Sequence, residues 1–281
     1  MNRKIESVIS GQATTDGDGV SLTRILSLPQ VKQFDPYLML DSFGTDSSVP
    51  GPGFPWHPHR GIVTISYMLK GSIEHEDSMG NHGTITAGGV QWMKAASGVI
   101  HQEMPHPGPE GIRGFQFWLN LPSSEKMSKP DYGDIQSDEF EVVIPGDGVT
   151  VKVLAGEYGG KKGLFDFVQT EPEFYDISLK KGRSITFETP TGKNFFLVGI
   201  TAGAEVDGKA VNPHEASHLS EGDSVEITAS EDSRVLLVGG NKLQESIAWS
   251  GPIVMNTQTE LRLAFDEFKS GSFVKEVGTD D

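Results

Sequence analysis

From Gly61 onward the chain alternates short apolar or β-branched runs with turn residues at close, fairly regular spacing, the pattern of an antiparallel sandwich or barrel. The runs are Ile62 to Leu69, Ser72 to Glu76, Gly83 to Ala87, Val90 to Lys94, Val99 to Met104 and Phe115 to Leu121. Between them stand Lys70-Gly71, Ser78-Met79-Gly80-Asn81, Ala87-Gly88-Gly89 and Ala96-Ser97-Gly98, which turn the chain because Gly and Asn tolerate positive φ. A polar stretch from Pro122 to Gly133 then breaks the rhythm and reads as a linker, dividing the chain into domains 1–133 and 134–281. Strands resume with Val149 to Ala155, Tyr175 to Leu179, Ser184 to Glu188, Phe195 to Thr201, Ser224 to Thr228 and Val235 to Val238. Helical periodicity is confined to the end of the chain. There Thr257 and Glu260 form a capping box, Leu261, Ala264, Phe265 and Phe268 share one face, and Gly271 stops the helix. The predicted fold is all-β: two barrel domains and a short C-terminal helix.

Length agrees with that division, since 281 residues exceed the usual size of one domain. The turns Leu69-Lys70-Gly71-Ser72-Ile73 and Thr201-Ala202-Gly203-Ala204-Glu205 correspond, as do Ala87-Gly88-Gly89-Val90 and Glu221-Gly222-Asp223-Ser224, which suggests duplication of one barrel. Cysteine is absent, so disulfides, thiolate metal sites and a thiol nucleophile are excluded, and a reducing cytoplasm is a compatible setting. The first nineteen residues, polar and broken by Gly and Asp, lack the apolar core of a signal peptide. Apolar runs such as Phe195 to Ile200 are too short to span a bilayer. The expectation is a cytoplasmic protein without a membrane segment. A net charge of −16 argues against direct nucleic-acid binding, which depends on Lys and Arg contacts to phosphate.

Chemistry concentrates in two short segments. In Trp56-His57-Pro58-His59-Arg60-Gly61, two imidazoles stand two residues apart, and an extended chain points i and i+2 to the same side. Pro58 lacks an N–H, which places this stretch at an edge or at a strand start. His101-Gln102-Glu103 repeats the spacing on another run. Two such strands side by side inside a barrel would bring His57, His59, His101 and Glu103 to one point as ligands of a single divalent transition metal ion. Imidazole and carboxylate without sulfur suit iron, manganese, nickel, copper or zinc. Four protein ligands leave room for another molecule on an octahedral metal but would close a tetrahedral zinc site, which favours iron.

The remaining histidines read differently. His75 and His82 flank the turn at Gly80 as exposed hairpin residues, His106 lies in a Pro-rich loop, and His214 and His218 lie in a loop-like stretch. In the second barrel Thr189 and Thr191 stand near the H-x-H positions, and Val235 and Leu237 near the H-x-E positions, so that barrel is expected to lack metal ligands.

His57-Pro58-His59-Arg60-Gly61, Glu74-His75-Glu76-Asp77-Ser78, Gln91-Trp92-Met93 and Gly98-Val99-Ile100-His101-Gln102-Glu103-Met104-Pro105 together resemble the pirin family. So do Asp35 to Asp41, Asn120-Leu121-Pro122 with Lys126-Met127, and Gly251-Pro252-Ile253-Val254-Met255-Asn256. The resemblance is dense in the first domain and sparse in the middle of the second. It implies a bicupin of two jelly-roll barrels, with a mononuclear metal, usually iron, in the first alone, and it carries the ligand roles to His57, His59, His101 and Glu103. It also implies two functions. One is a quercetin 2,3-dioxygenase that opens a flavonol with O2, with Glu103 as catalytic base. The other is a non-catalytic metal-binding regulator acting through a protein partner. For the first, Phe54, Trp56, Ile62, Trp92, Met93 and Met104 are candidates to clasp an aromatic ring.

Overall fold

Strand Ser184–Glu188 shows how the alternation is spent: Ile185 and Phe187 are buried while Ser184, Thr186 and Glu188 face solvent. The architecture is that of a computed structural model, which describes residues 1–167 and 169–275. Its residues group into two compact units that are interleaved in sequence. One comprises Met1–Gln12, Thr23–Pro36 and Asp138–Leu243, the other Ala13–Leu22, Tyr37–Ser137 and Gln244–Asp281. A simple division into 1–133 and 134–281 does not describe this arrangement, because the N-terminal residues group with 138–243 and the C-terminal ones with 37–137.

In the first of these units, a seven-stranded sheet runs in the order Ile5–Ser10, Glu215–Leu219, Lys193–Gly199, Ser233–Asn241, Glu173–Leu179, Val149–Ala155, Val142–Gly146. It faces a four-stranded sheet of Ser184–Glu188, Ser224–Ala229, Ala204–Val206 and Lys209–Val211. Between them lies one apolar cluster that includes Val151, Ile177, Phe187, Leu197, Val225, Ile227, Val235 and Leu237. The positions corresponding to H-x-E, Val235 and Leu237, are thus core, and Thr189 is engaged by the Arg3 guanidinium at 2.7 Å.

A second seven-stranded sheet, whose strands from Tyr37 to Ile135 lie in the other unit, is ordered Asp131–Ile135, Val90–Lys94, Ile62–Lys70, Ile112–Asn120, Tyr37–Thr45, Val20–Leu26, Gln12–Asp16. The opposing sheet is Phe54–His59, Val99–His106, Ser72–Asp77, His82–Thr86. Three residues of the expected linker, Asp131 to Gly133, belong to a strand paired with Val90–Lys94, so the linker reading holds only up to Pro130. Four strands also precede Gly61 unanticipated: Ile5–Ser10, Gln12–Asp16, Val20–Leu26 and Tyr37–Thr45.

The helix Gln258–Ser270 has the predicted ends. Thr257 and Glu260 cap each other, and Gly271 closes it at φ 78°, a left-handed geometry that favours glycine. Leu261 and Ala264 pack with Ala248, Ile253, Met255 and Phe273 of the same unit, and Phe268 is largely exposed, touching Phe273 edge-on at 5.5 Å. No helix among the described residues is long and apolar enough to cross a membrane.

Candidate metal centre

Register builds the site. The strand Val99–His106 lies between Phe54–His59 and Ser72–Asp77, and His101 is paired with His57 on one side and Asp77 on the other. Directly opposed residues of antiparallel strands share a face, so these three side chains project together. Two residues along, Glu103 is opposite His75, and two residues the other way Val99 is opposite His59. Phe54–His59 is an edge strand, which accommodates Pro58 as expected.

The nitrogen donors of His57, His59 and His101 lie within 4.8 Å of one another. Proton positions follow from their partners. His57 Nδ1 is 2.9 Å from the Pro55 carbonyl and His59 Nδ1 is 3.1 Å from the Pro252 carbonyl. A carbonyl only accepts, so each Nδ1 carries the proton and each Nε2 presents a lone pair. Those two Nε2 atoms are 3.0 Å apart, and His101 Nε2 is buried without any hydrogen-bond partner. Three lone pairs converging in a buried space repel one another unless a cation sits among them, so the donor set fits a metal ion. The electrostatics agree. Burial, reinforced by the neighbouring His57, lowers the pKa of His59 to about 3, and burial with the adjacent imidazoles pushes that of His101 well below the ordinary value. Both rings are therefore neutral donors at neutral pH.

Glu103 is 2% exposed but falls outside the cluster of three donor nitrogens. Its carboxylate accepts from Gln116 Nε2 at 2.7 Å and from Ser66 Oγ at 3.2 Å. Ser66 and Gln116 are cross-strand partners, which places both beside the carboxylate. Each is a polar residue flanked on both sides by apolar neighbours, Ile65 and Tyr67 for Ser66 and Phe115 and Phe117 for Gln116, and that interruption was the available signal for them.

His75 is a correction. It is 1% exposed, not an exposed hairpin residue, with its Nε2 at 3.2 Å from Asp77 Oδ2 and its ring stacked on Tyr132 at 4.6 Å. The pleat turns His75 and Asp77 inward, while Glu74 meets His82 and His106 at the surface. His218 also departs from expectation: it lies on strand Glu215–Leu219, buried, with Nε2 at 2.9 Å from Asn194 Oδ1.

Of the proposed aromatic clasp, Ile62 and Met93 are fully buried core and Trp56 is 49% exposed. An indole packed against His59 is one that the sequence did not single out: Trp118, with centroids 5.0 Å apart and planes at 81°. Trp249 follows behind Trp118 at 5.7 Å.

Three converging imidazoles with a hydrogen-bonded buried carboxylate in one jelly-roll barrel, and an apolar core in the other, define a bicupin in which, among the described residues, a metal-type donor cluster lies in the first. The Pirin family matches residues 19–119 and the Pirin C-terminal cupin domain residues 174–274. The chain belongs to the pirin family. It is 41% identical to a pirin-like protein of Caulobacter vibrioides over 96% of this chain and 99% of that one. It is also 36% identical to the pirin of Homo sapiens over 96% and 93% of the two chains. Among solved structures, a quercetin 2,3-dioxygenase from Acinetobacter baumannii superposes with a TM-score of 0.90 at 30% identity, covering 97% of this chain and 99% of that one.

Proposed function

We propose that this chain is a metal-dependent dioxygenase of the quercetin 2,3-dioxygenase type, with the ion held by His57, His59 and His101 and with Glu103 as the fourth ligand and catalytic base. The observation that carries this is the convergence of three imidazole lone pairs beside a buried carboxylate kept in place by Gln116 and Ser66. The likeness to the Acinetobacter baumannii enzyme supports the substrate class, a flavonol together with O2.

The ion, most consistent with iron, would supply a Lewis-acidic, redox-active centre that lowers the pKa of an adjacent hydroxyl. The protein's own part is positioning and proton transfer. Glu103 takes the proton of the flavonol 3-hydroxyl, a step worth roughly a hundredfold or more in rate when the base is well placed. Gln116 and Ser66 orient the carboxylate for it. Trp118 walls the site next to His59 and excludes water from that side.

Oxygen uptake with quercetin by protein of assayed metal content tests this reading, with His59→Ala and Glu103→Gln as controls. Uptake that depends on metal and is lost in both variants is the expected result. Metal-loaded protein without uptake would favour the regulator that acts through a protein partner, and full turnover by metal-loaded Glu103→Gln would remove the base assignment.

A further inference from the structure

Behind His101, away from the donor cluster, runs a chain of hydrogen bonds made wholly of buried groups: His101 Nδ1 to His75 Nδ1 at 3.4 Å, and His75 Nε2 to Asp77 Oδ2 at 3.2 Å. The three side chains are 0%, 1% and 4% exposed. We propose that Asp77 and His75 are positioning residues that fix the proton of His101 on Nδ1, so that its Nε2 faces His57 and His59 as a bare donor. The inference rests on the metal-centre reading and names the residues that set its third donor.

The direction of every proton follows from Asp77. Its Oδ1 accepts the backbone N–H groups of Met79 at 2.8 Å and Asn81 at 3.1 Å, and its Oδ2 accepts Asn81 Nδ2 at 2.9 Å as well as His75. A carboxylate surrounded by donors can only accept, so His75 carries its proton on Nε2. With its proton on Nε2, His75 offers the lone pair at Nδ1, and the proton of that long bond belongs to His101 Nδ1. His101 Nε2 is left bare, and it is the atom that has no partner in the fold. Stacking on Tyr132, with planes 24° apart, holds the His75 ring in the plane this relay requires. Partners of this kind on metal-bound histidines fix tautomer and orientation, and losing them typically costs 10- to 100-fold in metal affinity.

The isosteric change Asp77→Asn reverses the relay without removing volume. The amide oxygen remains with the two backbone N–H groups, so the NH2 takes the place of Oδ2, donating to His75 Nε2 and to the Asn81 side-chain oxygen once that amide turns over. His75 must then carry its proton on Nδ1, aimed at His101 Nδ1, and the His101 proton is driven to Nε2, where the ion would sit.

The test uses full-length protein with 15N-labelled histidine, stripped of metal. Long-range proton–nitrogen spectra read the His101 tautomer, and competition with a chromophoric chelator reads zinc affinity. Expected are the Nδ1–H tautomer in the wild type, and the Nε2–H tautomer with roughly 10- to 100-fold weaker zinc binding in Asp77→Asn. His75→Phe is the second variant. It keeps the stack on Tyr132 and removes the acceptor, so it gives a mixed tautomer and weaker zinc binding. An Nε2–H tautomer in the wild type, or unchanged zinc affinity in either variant shown to be folded by circular dichroism, overturns the relay. Wild-type protein that shows the Nδ1–H tautomer yet binds no zinc sinks the metal-centre reading and leaves the relay standing.

Discussion

Replacing Gln116 with methionine keeps the length of the side chain but removes the 2.7 Å bond to Glu103, leaving the carboxylate with Ser66 at 3.2 Å. A hydrogen bond to a charged group contributes about 1.5–3 kcal/mol, and Glu103 is too buried for water to take the place of the amide. In a Glu103→Gln background the same amide meets a neutral carbonyl, a bond worth about 0.5–1.5 kcal/mol. The two substitutions should therefore couple by about 1–2 kcal/mol in a double-mutant cycle on metal-free protein. Urea unfolding followed by tryptophan fluorescence isolates the relevant unit, because Trp56, Trp92, Trp118 and Trp249 all lie in the unit that contains the site. Equal losses in the two backgrounds, with a coupling below about 0.5 kcal/mol, would refute the claim that Gln116 acts on Glu103 as a charge.

Other outcomes follow from the same interior. Gly61→Ala should cost about 2 kcal/mol or more by urea unfolding, because Gly61 has φ 78° and an added Cβ would lie 1.9 Å from the Val254 carbonyl oxygen. Lys126→Met should cost about 3 kcal/mol or more in the same assay, since its buried Nζ donates to Gly61 O at 2.8 Å, Asn120 Oδ1 at 2.7 Å and Val254 O at 3.0 Å, and Gly61 O would keep only the 3.4 Å bond from Leu121 N. In the metal-free protein the depressed pKa of His59, about 3 against an ordinary 6.5, means that the unfolded chain binds the proton first. That contribution is complete above about pH 6.5 and is lost as pH falls toward 3, at about 1.4 kcal/mol per pH unit for one such group. Unfolding free energies that stay flat over this window, and His59→Ala showing the same slope as the wild type, would contradict it.

Much of this was legible in the sequence because the pleat has a period of two. H-x-H at His57 and His59 and the repeat at His101 and Glu103 needed only the assumption that both segments are strands, and both are. His75 and Asp77 carry the same spacing, but Glu74 and Glu76 carry it too, and the sequence does not say which set faces inward. Only pairing with Val99–His106 settles the phase. Gln116 and Ser66 went unnoticed because a polar residue between apolar neighbours in a strand is as often structural as functional. Trp118 went unnoticed because it stands in a run of apolar residues that reads as core throughout. The interleaved units were hidden for another reason. Strand Ile5–Ser10 pairs with Glu215–Leu219, far away along the chain, and local periodicity carries no information about such pairings. The ends of the helix were readable, since its capping box and terminal glycine are local, whereas Phe268 of the expected apolar face stays exposed.

The central claim is that one ion is held by His57, His59 and His101, and elemental analysis of the purified protein beside His101→Ala, both verified as folded, tests it most directly. About one transition-metal ion per chain is expected in the wild type and almost none in the variant, because His101 supplies the fully buried donor of the three. Metal-free wild type that takes up no ion when iron, nickel or zinc is supplied, or a variant that keeps its full metal content, would contradict it.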